Sequence, residues 1–128
     1  MIQEIKTSSA TIRLISPGII ENIIRDNSVL DILEIKEIKA ANEEMAEGKK
    51  YVLLINSGQY TSITKEGMEL SASETFQRNT IAKALLVNSL GHRIVGNFYI
   101  KFNKPFIVTQ IFSDRDKAIS WLKTKSEG

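Results

Sequence analysis

The sequence contains no cysteine. Disulfides, thiolate nucleophiles, iron–sulfur clusters and cysteine-based zinc sites are excluded by inventory, and a reducing compartment is the expectation. There is a single histidine, so no multi-histidine metal site can be assembled. Two prolines and seven glycines in 128 residues are too few for a collagenous or low-complexity chain. No run approaches the roughly 20 apolar residues that span a bilayer. Met1 to Ser9 carries Glu4 and Lys6 among its apolar residues, so no signal peptide is expected and the cytoplasm is the default. Charge of one sign is scarce as well: 17 Lys and Arg stand against 15 Asp and Glu, which gives weak steering at most.

What is present is the balance of an ordinary globular protein, 42% hydrophobic and 25% charged. A chain of 128 residues can bury a core unaided. One domain over residues 1–128 is expected, with 1–8 and 124–128 as frayed ends. Thr11 to Ser16 alternates as a half-buried strand, placing a strand over 9–16. Pro17-Gly18 is a turn, and the β-branched stretch Ile19 to Arg25 returns as a hairpin partner. After the capping residues Asp26-Asn27-Ser28, apolar residues from Leu30 to Met45 recur at helical spacing, predicting an amphipathic helix over about 29–47 that Gly48 ends.

Tyr51 to Ile55 is a continuous apolar run, the pattern of a central strand covered on both faces. A second helix is predicted over Ile63 to Gln77 with Thr64 as N-cap, and a second buried strand over Ile81 to Val87. Ser89 to Phe102 reads as a third helix, broken by Asn103-Lys104-Pro105. Phe106 to Phe112 is a last strand, and Ser113 opens a final helix with Asp116 completing a capping box. The order is β-β-α-β-α-β-α-β-α, an α/β chain with a mixed sheet and an antiparallel hairpin at its edge.

The stretches Ala82-Lys83-Ala84-Leu85-Leu86-Val87, Asn97-Phe98-Tyr99-Ile100-Lys101-Phe102-Asn103-Lys104-Pro105, Ile111-Phe112-Ser113 and Ala118-Ile119-Ser120-Trp121-Leu122 resemble uncharacterised bacterial STAS-like proteins. The resemblance is clearest over about 80–123; before residue 50 only the order of elements matches. It implies a STAS-like fold, whose anti-sigma-factor antagonists bind a kinase and are switched by phosphorylation of a serine at the start of the helix after the central strand. Here that region reads Ser62-Ile63-Thr64-Lys65-Glu66-Gly67, with Lys65 and Glu66 standing where the family has its serine pair. Related folds also resemble lipid-carrying domains with an apolar pocket under a movable helix.

No set of residues assembles a catalytic site. Ser89 and His92 share a helical face, but no carboxylate lies in the same segment to orient the ring, and for His92 an exposed or capping residue near the start of the third helix is the simpler reading. Gly91 and Gly96 match no phosphate-binding loop; their expected role is to let the third helix sit close to the sheet or to bend it. Glu43, Glu44 and Glu47 belong to a solvated helix face. Ser62 and Thr64, with Lys65, form a candidate partner or phosphate surface at a helix start. Arg93, Lys101 and Lys104 make the one basic stretch, since no acid lies between Gln77 and Asp114. Aromatics near it could stack on single-stranded nucleic acid, but Phe98 and Phe102, one turn apart, read as core and nucleic acid is not an expected partner.

The expectation is a non-enzymatic binding or regulatory module without a cofactor. It meets a protein partner through the 56–67 loop and the exposed side of the second or third helix. The alternative is a carrier of a small apolar ligand held between the third helix and the sheet, with Ser89, His92, Arg93, Ile94, Phe98 and Phe102 as ligand or lid residues. A homodimer is compatible with either.

Overall fold

The computed structural model describes residues 3–126. An edge strand, β1 (Glu4–Lys6), pairs antiparallel with β2 (Ala10–Ser16), which turns at Pro17-Gly18 into β3 (Ile19–Ile24). Gly18 supplies the positive φ of +79° that this turn requires. The short β4 (Val29–Leu30) precedes α1 (Ile32–Ala46), and β5 (Tyr51–Ser57) follows. Next come β6 (Ser62–Ile63), α2 (Lys65–Ala72) and β7 (Thr80–Leu86). Helix α3 (Leu90–Phe98) runs on into a π-helical turn, Tyr99–Asn103, before β8 (Val108–Phe112) and α4 (Arg115–Ser126).

The six-stranded sheet has the order β1-β2-β3-β5-β7-β8. Strand β2 is antiparallel to both of its neighbours, β1 and β3, and β3, β5, β7 and β8 are parallel. The hairpin therefore joins its own sheet, with β3 against β5. The apolar run of β5 lies between β3 and β7, and Val52 and Leu54 are fully buried. One face packs Ile12, Ile20 and Leu53 against Ile38 and Met45 of α1. On the other, Ala82 and Ala84 of β7 leave room for α4 to settle through Ala118 and Leu122. Beside that contact Glu21, 1% exposed, receives two hydrogen bonds from Arg115 at 2.5 and 2.8 Å and one from Asn56.

Several boundaries differ from expectation for physical reasons. Helix α1 starts at Ile32 with a capping box built on Asp31 and Glu34. Val29 and Leu30, expected inside that helix, pair instead with Ser62 and Ile63 in a two-stranded parallel sheet. Thr64 caps α2 as predicted, but the helix stops at Ala72, and residues 73–79 turn back to bury Gln77. Asp114, not Ser113, accepts the bond that caps α4, from the Lys117 amide. At the ends, residues 4–6 are edge strand and α4 continues to Ser126, where loose tails were expected. Met1, Ile2, Glu127 and Gly128 lie outside the described residues.

Candidate functional site

On the α1 side of the sheet the helices leave a cavity of about 190 Å³. Leu53 and Ile55 of β5 and Leu85 of β7 form its floor, Ile35 and Ile38 of α1 one wall, and Val95, Gly96 and Tyr99 the wall opposite. Gly96 brings α3 down to the sheet: a Cβ there would stand 3.1 Å from Ile111 Cδ1, closer than ordinary van der Waals contact. The two-residue strands β4 and β6 contribute Leu30 and Ile63 to the lining. The lining becomes exposed toward Thr61, Ser62, His92 and Val95, which mark the mouth.

The inner end is polar. Lys83 projects from a strand of otherwise apolar and small residues and is 8% exposed. Its Nζ donates to the Tyr99 hydroxyl at 3.1 Å and lies 5.1 Å from the centre of that ring. Tyr99 and Ser71 hydroxyls are 3.1 Å apart, and Ser71 also reaches the Met68 carbonyl. Among the described residues Lys83 has no carboxylate partner. Gln77, 4% exposed, accepts from the Ile107 amide through Oε1, while its Nε2 has no hydrogen-bond partner. Asn22 and Asn42, both buried, exchange reciprocal amide bonds of 2.7 and 3.0 Å in the same lining.

Lys39, also in the lining, donates to Tyr51 Oη, Thr80 Oγ1 and the Arg78 carbonyl and sits 3.5 Å from Glu43. Burial lowers its pKa, Glu43 opposes that shift, and Lys83 adds to it by like-charge repulsion. Burial would raise the Glu43 carboxyl, but the neighbouring Tyr51 hydroxyl, the hydrogen bond from Asn79 and the Lys39 ammonium outweigh it and hold the carboxyl below its ordinary range. Tyr51 is raised by burial and by Glu43. Lys39 thus has its anion; Lys83 does not.

The residues singled out from sequence separate into three places. Ser89 is the N-cap of α3, its Oγ accepting from the His92 amide at 3.1 Å, which accounts for the Ser89-x-x-His92 spacing. The His92 ring bridges Asn88 Oδ1 at 3.1 Å and Thr61 Oγ1 at 3.2 Å, clasping α3 to the 56–64 loop at the mouth. Thr64 accepts from the Gly67 amide and donates to Asp31 Oδ1 at 2.7 Å. A phosphate there would meet that carboxylate, whose pKa the Thr64 bond holds below its ordinary value. Ser62 is exposed at the mouth and Lys65 is exposed at the start of α2.

Ile94, Phe98 and Phe102 do not face the sheet. They point to solvent, and the two phenylalanine rings lie 4.7 Å apart, so both the core reading of Phe98 and Phe102 and their assignment to an inner pocket are corrected. The inward stripe of α3 is His92, Val95, Gly96 and Tyr99. Leu90, 73% exposed, extends the outward stripe, and Phe102, 61% exposed, closes it. Phe98 and Phe102 also border a groove shared with Lys65, Met68, Glu69 and Ala72 of α2. Arg93 is exposed beside them. Sequence reading missed Lys83, Gln77, Tyr99 and Ser71. Only Lys83 carried a signal, as a lone lysine inside a strand read as buried.

Among the described residues no group of three His, Asp or Glu side chains could hold a metal ion, and no helix is long and apolar enough to cross a membrane. The family described as Domain of unknown function (DUF7793) matches residues 14–126. The chain belongs to that family. No curated protein matches the DUF7793 chain. Among solved structures, it is similar to an uncharacterised protein of the DUF3478 family with a SpoIIAA-like fold from Shewanella loihica PV-4. That match has 13% identity and a TM-score of 0.57, over 89% of this chain and 92% of that one. It is also similar to the Bacillus cell fate determinant SpoIIAA in its phosphorylated form, at 16% identity and TM-score 0.50, over 88% and 98% of the two chains. The fold of the DUF7793 chain is therefore STAS-like, of the SpoIIAA type, as the resemblance of its sequence implied.

Proposed function

We propose that this protein is a non-enzymatic regulatory module that takes a small, mostly apolar molecule into the cavity between α1, α3 and the sheet. The observation that carries the reading is the cavity itself. About 190 Å³ of space with a mostly apolar wall that includes Leu53, Ile55 and Leu85 exceeds the roughly 150 Å³ that accommodates benzene in an apolar protein interior, so it accepts a ligand of about eight to ten heavy atoms. Such a void forfeits dispersion contacts on its walls, a cost that a ligand removes. Calorimetric titration with 1-octanol tests it: one site per chain is expected, abolished in Ile55→Trp, whose indole occupies the floor. No heat and no rise in Tm at saturating octanol would end this reading.

A second reading, docking of a protein partner on α3, is favoured by a separate observation. The exposed stripe of Leu90, Ile94, Phe98 and Phe102 borders a groove against α2, and a contiguous apolar surface of this kind marks an interaction site. The STAS-like fold supports a regulatory module in general. A partner captured by wild type but not by Ile94→Glu/Phe98→Glu protein is the expected result, and equal capture by both would exclude this surface.

A further inference from the structure

The hydrogen-bond accounting of the cavity's inner end is lopsided. Lys83 has three N–H donors and Tyr99 uses one. The Gln77 amide has two on Nε2 and none is used. Tyr99 and Ser71 satisfy each other, with Ser71 passing its own hydrogen to the Met68 carbonyl. Four donor hydrogens thus lack acceptors in a place where all four side chains are more than nine-tenths buried. A buried donor without an acceptor is costly, and a buried cation without an anion more so. No Asp or Glu lines the cavity, and Lys39 adds a second positive group to its wall. What is missing is an acceptor-only group bearing negative charge. A carboxylate is that group: two oxygens, about four acceptor positions and no donor.

Resting on the cavity's being a ligand site, we propose that its ligand is a monocarboxylic acid of roughly eight to ten heavy atoms in all, with an apolar body. The carboxylate lies at the inner end, taking hydrogen bonds from Lys83 Nζ and Gln77 Nε2. The apolar body runs along Leu53, Ile55 and Leu85 toward the mouth at Thr61 and His92. Polar anchor and apolar floor select together: a short acid such as acetate leaves the floor empty, and an alcohol of the right length leaves Lys83 without its anion.

The experiment compares octanoate with 1-octanol at pH 7.5 by calorimetric titration of the full chain, in wild type, Lys83→Met and Gln77→Leu. Charge-assisted hydrogen bonds imply that octanoate binds about 10- to 100-fold tighter than octanol to wild type. Lys83→Met should erase that preference while leaving octanol affinity within about threefold, and Gln77→Leu should reduce it partially. Equal affinity of wild type for both probes overturns the carboxylate assignment and leaves the apolar cavity reading intact. If neither probe binds, both readings fall. The wild-type comparison needs no variant, so a misfolded substitution does not rescue the proposal.

Discussion

Replacing Lys83 with methionine should make the ligand-free protein more stable. The side chain is 8% exposed, and among the described residues its only polar partner is the Tyr99 hydroxyl. Taking a cation out of water costs several kcal/mol even after relaxation. Against this stand one hydrogen bond from a charged donor, worth about 1.5–3 kcal/mol, and the contact with the Tyr99 ring, about another 1 kcal/mol. Methionine keeps most of the stem and fills the same volume, and Tyr99 retains Ser71 as its partner. The net gain is about 1–3 kcal/mol, which for a domain of 128 residues raises Tm by roughly 3–10 °C. Urea unfolding of both proteins at pH 7.5, extensively delipidated, gives the difference directly. A loss of stability beyond about 1 kcal/mol would show that Lys83 is part of the structural framework, and the reasoning that a ligand must complete it would fail.

Other substitutions probe the frame around the cavity. Arg115→Met strands Glu21 in the interior and should cost about 2–3 kcal/mol, below the usual 3–5 kcal/mol for a fully buried pair because Arg115 is itself half-exposed. Burial raises the Glu21 carboxyl, but its bonds from Arg115 and Asn56 prevail and lower it below its ordinary 4.5. The wild-type contribution is therefore present above that value and lost as pH falls through the folded one. A Tm difference between wild type and Arg115→Met that does not shrink below pH 4.5 refutes this. Gly96→Val should destabilise by about 1–3 kcal/mol through the clash with Ile111, read as a fall in Tm. Thr64→Ala should cost about 1 kcal/mol as a lost cap, and Thr64→Glu more, since its carboxylate meets Asp31; a phosphate-mimicking gain at this position would contradict that geometry.

Much of the frame was legible because it rests on local signals. The apolar run Tyr51 to Ile55 is too short for a helix and reads as a strand buried on both faces, and Thr64 caps its helix as its position indicated. What escaped depends on tertiary contacts. Two-residue strands such as Val29-Leu30 have no period to detect, and they form because Ser62 and Ile63 lie alongside. Helix α3 was read inside out for a similar reason. It has two stripes, Leu90/Ile94/Phe98 and His92/Val95/Gly96/Tyr99, and spacing alone favours burying the more apolar one. The sheet takes the other because Gly96 permits approach and because Tyr99 has Ser71 and Lys83 to satisfy its hydroxyl.

That inversion joins the two proposed surfaces physically. The same nine-residue helix, Leu90–Phe98, lines the cavity with one face and shows an apolar stripe with the opposite one. It is held at its start by the Ser89 cap and the His92 clasp to the loop, and at its end by Tyr99 against Lys83 and Ser71. A carboxylate at the inner end would take the two free donors of the lysine that holds Tyr99, so occupancy bears on the anchor of the π turn that carries Phe102. If a partner on the outer stripe distinguishes the two arrangements, linkage requires that ligand and partner alter each other's affinity by one and the same factor.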